Sequence, residues 1–175
     1  MGKITALLDQ IKKDFPAKAK KLAKKLAAQG LSEEAIGSVE QKIEPPERIK
    51  GGIPTLKKGV YRKPSPMVQA RFEYAGSWNQ MGRVWLGISD MEKTARKRGV
   101  RETISALRED WEGSAPSRFP PDRLSLFSVY EELDENVAFL VWPEKEGDEP
   151  EVWAYFGQGE SKHKTLQRYL EWAVK

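Results

Sequence analysis

Apolar positions in the first thirty residues recur with helical spacing. Ile4, Leu7, Leu8, Ile11 and Phe15 fall at i, i+3, i+4, i+7 and i+11, one face of a helix. Ala19, Leu22, Ala23 and Leu26 continue that face, so a helix is expected over 3–29. Pro16 interrupts it and predicts a kink or a second helix start, and Gly30 supplies a stop. Ser32, with Glu33 and Glu34 behind it, is expected to cap a short helix that ends before Pro45-Pro46. Residues 44–66 then hold five prolines and three glycines, the composition of a connector or extended arm.

Two strands are expected next, Val68–Tyr74 and Arg83–Ile88, with Gly76-Ser77-Trp78-Asn79 as the turn between them. In that turn Trp78 has no evident core role and is a candidate contact residue. Ser89 or Asp90 can cap a helix over about 91–98, and a further helix over about 101–111 carries Ile104, Leu107 and Trp111 on one stripe. Leu124–Tyr130, Val137–Trp142 and Val152–Phe156 are strands rich in β-branched and aromatic residues. Gly157–Lys162 is expected as an exit loop. A helix over 163–174 closes the chain with Leu166, Tyr169, Leu170, Ala173 and Val174 on one apolar face. This order predicts an α+β fold: a mainly antiparallel sheet of about five strands packed with helices. It divides into a helical, basic region over 1–43, the connector over 44–66 and an α+β domain over 67–175.

Composition narrows the chemistry. The 175 residues include no cysteine and one histidine, which removes disulfides, thiolate metal sites and thiol nucleophiles. No cofactor motif and no metal set stands out, and the chain is read as non-enzymatic. His163 lies between Lys162 and Lys164, whose charges disfavour a catalytic base. The adjacent acids Glu131-Glu132 and Asp134-Glu135 read as a solvated turn. No run is long and apolar enough to span a membrane, and Asp9 and Gln10 end the first apolar stretch too early for a signal peptide. A cytoplasmic location is expected.

Charge is segregated. The net charge is +4. Residues 1–30 carry eight lysines against two acids, and residues 48–101 carry thirteen Lys/Arg against three acids. Residues 131–160 carry ten acids against Lys145 alone. Such segments either face each other within the fold or attract partners of opposite charge. Lys57, Lys58, Arg62 and Lys63 in the arm, with Arg96, Lys97, Arg98 and Arg101 in the following helices, form a candidate nucleic-acid surface. The basic segment Lys18–Leu26 is amphipathic and is expected to dock its Leu/Ala stripe on the body of the domain.

The closing segments carry a resemblance. Leu126-Phe127-Ser128-Val129-Tyr130, Asn136–Trp142, Glu149-Pro150-Glu151-Val152-Trp153-Ala154-Tyr155 and Leu166–Trp172 are similar to the C-terminal half of the SUKH superfamily. That family includes many bacterial immunity proteins and relatives of a yeast cell-wall-synthesis regulator. The resemblance spans about residues 122–173. It implies an α+β module that binds a toxin or another protein, and it transfers no individual contact residue. Under it, Glu131, Glu132, Asp134, Glu135, Glu146 and Asp148 are the candidate face for a basic toxin. The alternatives are a nucleic-acid-binding accessory protein or a structural component of an assembly.

Overall fold

The computed structural model describes residues 2–30, 41–130, 136–157 and 159–175. Helix α1 (Gly2–Ala28) runs unbroken through Pro16, where a kink or restart was expected. A proline removes one backbone donor, and the docked turns before it hold the helix. Ile4, Leu8, Ile11 and Phe15 are buried, whereas no residue after Pro16 is. The Leu22/Ala23/Leu26 stripe is only half-buried.

Most of the short helix expected after Ser32 lies outside the described residues, and its last residues form strand β1 (Gln41–Ile43). The Pro/Gly-rich stretch folds into a small hairpin, β2 (Ile53–Pro54) with β3 (Tyr61–Arg62). Ile53 is fully buried, and the Leu56 N–H donates to the Leu124 carbonyl at 2.7 Å.

The expected strand over 68–74 is instead helix α2 (Pro66–Tyr74). Its start explains why: the Ser65 hydroxyl accepts from the Val68 N–H at 3.2 Å, and Pro66 occupies the first turn. Cap and proline outweigh the strand propensity of Val68, Phe72 and Tyr74. The expected turn at 76–79 is also corrected. Trp78–Gln80 is strand β4, paired with β5 (Arg83–Trp85) through a two-residue turn at Met81-Gly82. Both turn residues have positive φ, 54° and 81°, the geometry that suits the twist of a tight hairpin. Trp78 is therefore core, not a turn contact.

Helices α3 (Ile88–Ala95) and α4 (Arg98–Glu109) begin about three residues earlier than expected. Gly87 is the cap of α3 and offers no side chain. Glu47 supplies the acceptors from forty residues away, taking the Ile88 N–H at 2.6 Å and the Ser89 hydroxyl at 3.0 Å. Helix α5 (Ala115–Arg118) and a single 3-10 turn (Pro121–Arg123) lead into β6 (Leu124–Tyr130), β7 (Val137–Val141) and β8 (Glu151–Phe156). The expected exit loop is strand β9 (Gly159–His163), paired with β8 from Phe156↔Gly159 to Val152↔His163. Its polar sequence Gly-Glu-Ser-Lys-His suits an edge position and hides the strand from hydropathy. Helix α6 (Leu166–Ala173) starts at the Thr165 cap, so His163 ends a strand rather than opening a helix.

The architecture is α+β, with an antiparallel sheet of seven strands in the order β1-β4-β5-β6-β7-β8-β9. Alternation along β8 sorts the layers. Trp153 and Tyr155 point to one face and meet Phe119 and Trp111 edge-on at 5.5 and 5.6 Å. Phe156 points to the other face and meets Trp172 of α6 at 5.6 Å. Helices α1 and α2 pack with α6 on that second face. A bulge between Leu126 and Ser128 places Phe127 against Tyr169 at 5.9 Å. Ile4, Leu8 and Ile11 share one core with Trp78, Phe127, Phe139 and Leu170.

Candidate functional site

The β2–β3 hairpin stands beside the junction of α3 and α4. Its tip is held by the Thr55 hydroxyl, which donates to the Val60 carbonyl at 2.9 Å. Lys57 and Lys58 project from that tip. A groove of about 650 Å³ separates it from the helices. Lys58, Arg96, Arg98, Arg101 and Arg108 line the groove, over a floor that includes Leu56, Ala95, Ile104 and Pro121. Thus Lys58, from the arm, joins three of the four helix cations that sequence reading had singled out. Arg108 was missed, although it lies seven residues after Arg101 and therefore on the same helix face.

The pairing inside the groove is uneven. Arg98 meets Glu102 at 2.8 Å and Arg96 meets Glu92 at 3.6 Å. Lys58 and Arg101 have no ion-pair partner among the described residues, and both are exposed. Four cations surround the start of α4: Arg96, Lys97, Arg98 and Arg101. Lys97 is its cap without a side-chain hydrogen bond, and the first turn holds no acid. The helix dipole is positive at that end, so each cation there costs on the order of what an anion would gain, ~0.3–1 kcal/mol.

The other basic candidates are elsewhere. Lys97 lines a second depression, of about 700 Å³, with Lys93 and Tyr130. Arg62 donates to the Pro143 carbonyl at 2.7 Å, and Lys63 lines a third depression with Tyr61 and Glu146. At this point the basic arm lies beside the acidic segment, and no ion pair among the described residues joins them.

Of the acidic candidates, Glu146 and Asp148 are exposed in the β7–β8 turn, Asp148 at 3.6 Å from Lys145. Glu131, Glu132, Asp134 and Glu135 lie outside the described residues. Tyr130 and Asn136, which flank them, stand at the opposite end of β7 from Pro143, roughly 16 Å away for a five-residue strand. Of the six acids, the described residues place Glu146 and Asp148, both in the β7–β8 turn.

Burial shifts Glu149 and His163 among other titratable groups. Burial pushes the Glu149 carboxyl above its ordinary value, against the lowering effect of the Ser65 hydroxyl and the Leu166 N–H, which donate to it at 2.5 and 3.1 Å. A raised folded pKa means the folded state holds this proton more tightly than the unfolded chain does. The group's cost is absent below the ordinary carboxylate range and grows as pH rises through that range to the raised value. Glu149→Gln is therefore expected to flatten that part of the stability profile, read from urea midpoints across mildly acidic pH. An unchanged profile would refute the assignment. His163 lies 5.0 Å from the Trp172 ring and 5.6 Å from Tyr169, and its Nε2 is 2.9 Å from the Ser161 hydroxyl oxygen. Burial, then the Arg83 charge, holds it below its ordinary value, so it is a packed ring at the end of β9.

Among the described residues no three His, Asp or Glu side chains converge as a metal site, and no helix is long and apolar enough to cross a membrane. No family model matches this chain, nor does any curated protein or solved structure.

Proposed function

We propose that the chain is a non-enzymatic, cytoplasmic binding module of the SUKH type, which captures a protein partner in the manner of an immunity protein neutralising a toxin. One observation carries this reading. The four segments that resemble the family are neighbours in space: β6, β7 and β8 are consecutive in the sheet, and α6 packs on their face through Tyr169 against Phe127. The resemblance therefore falls on one contiguous structural unit rather than on scattered fragments.

A second reading is favoured by a separate observation. Lys58 and Arg96, Arg98 and Arg101 meet at one groove, as a nucleic-acid-binding accessory protein would require. Affinity capture with the intact chain from lysate of its source separates the two, run with and without nuclease at low and moderate salt. A single stoichiometric protein that survives nuclease, and that rebinds after purification, is the expected result. Recovery of nucleic acid alone, lost at moderate salt, would overturn the proposal in favour of the second reading.

A further inference from the structure

We propose that the groove between the β2–β3 hairpin and helices α3–α4 is the docking surface for an acidic, leucine-rich segment of a partner protein. The inference rests on the binding-module reading and names the partner's chemistry.

Three observations converge on it. The groove gathers five cations against two carboxylates, Glu92 and Glu102, and those carboxylates neutralise only Arg96 and Arg98. Lys58 on one wall and Arg101 on the other are left to meet anions from outside. Arg98 and Arg101 carry the groove to the start of α4, where the positive end of the helix dipole lies. Repulsion among these cations in the free protein is relieved when carboxylates enter. Charge complementarity of this kind steers association and selects the partner.

The floor decides between an acidic peptide and a nucleic acid. It is aliphatic, with Ile104 buried and Leu56 and Ala95 half-buried. None of its lining residues is aromatic, so the groove offers no platform on which bases could stack. Tyr61, the exposed aromatic of the hairpin, lines the depression on the far side with Lys63. Glu92 and Glu102 within the groove oppose a continuous phosphate backbone, but alternate readily with the spaced carboxylates of a peptide. An aliphatic side chain between two such carboxylates would seat on Ile104.

Fluorescence anisotropy with the full chain tests this. The probes are a labelled short peptide alternating glutamate and leucine, its lysine counterpart, and a labelled single-stranded oligonucleotide. The glutamate peptide is expected to bind most tightly. Lys58→Ser/Arg101→Ser is expected to weaken it by about tenfold or more, while Lys24→Ser/Lys25→Ser on α1 leaves it unchanged. Both groove side chains are exposed and unpaired, and their loss relieves repulsion, so melting temperature should not fall. If the double variant were unstable, Lys58→Ser alone would carry the test. Equal affinity in the groove variant would overturn the proposal. So would an oligonucleotide that binds more tightly than the peptide and is lost with the same substitutions.

The captured partner distinguishes this inference from the reading beneath it. A partner whose binding is insensitive to the groove variant but lost with Glu146→Gln/Asp148→Asn overturns the groove and leaves the binding module standing. A peptide that binds the groove, in a chain that captures no protein, overturns the module and leaves the groove's chemistry standing.

Discussion

Replacing Arg71 with leucine is expected to destabilise the fold by about 3–5 kcal/mol, the scale on which a buried charged partner is lost. Arg71 is fully buried on α2. Its guanidinium donates to the carbonyls of Ala75 at 2.5 Å, Gly76 at 2.9 Å and Trp85 at 3.4 Å. It thereby fastens the end of α2 to the lead-in to β4 and to the end of β5. Burial lowers its pKa to about 10, with the Glu47 carboxylate acting in the opposite direction. Leucine would strand those carbonyls without donors and remove the charge facing Glu47, which itself holds the start of α3. Lysine keeps the charge but cannot fork across three carbonyls, so it should recover only part of the loss. Urea denaturation at neutral pH measures the effect. A loss under about 1 kcal/mol would mean that the guanidinium is replaceable by packing alone.

Trp78→Ala should cost about 3–5 kcal/mol as well, the range for truncating a buried aromatic. Trp78 has no exposed surface. It stacks on Tyr74 at 5.9 Å and meets the edge of Trp85 at 5.4 Å. A contact residue would behave in the opposite way, leaving stability intact and weakening a partner. Unfolding and partner affinity measured on the same variant therefore separate the two roles. Its indole N–H has no hydrogen-bond partner among the described residues. Trp78→Phe removes that orphan donor and should cost a fraction of the alanine value. If alanine were tolerated without loss, the β4–β5 hairpin would not be part of the core.

The two residues also mark where sequence reasoning succeeds and where it stops. Strands β6, β7 and β8 are legible because their middles are buried and rich in β-branched and aromatic residues, with β7 an unbroken apolar run. Helix α6 is legible because half of its surface is wet and the period shows. Helix α2 is misread because its aromatic and β-branched residues suggest a strand, although Ser65-Pro66 announces a helix start. Strands β1 and β9 are short and polar, and only their neighbours make them strands. The basic cluster at 96–101 is visible as a run of letters. Its union with Lys58 is a tertiary event, decided by where the hairpin docks. Of the acidic group, Glu146 and Asp148 share the exposed β7–β8 turn, and residues 131–135 lie outside the described residues.

The order of the sheet has a consequence for synthesis. From β4 to β9 each strand lies beside the one translated just before it. A nascent chain can therefore extend the ladder one strand at a time, and only the β5–β6 step has to close over intervening helices. Helix α1 is the exception. It precedes the sheet, yet it rests on α6 as well as α2, and Lys18 reaches the carbonyl of Val174 just past the end of α6. The seat of α1 is thus complete only once α6 has been made, although α1 precedes every strand of the ladder.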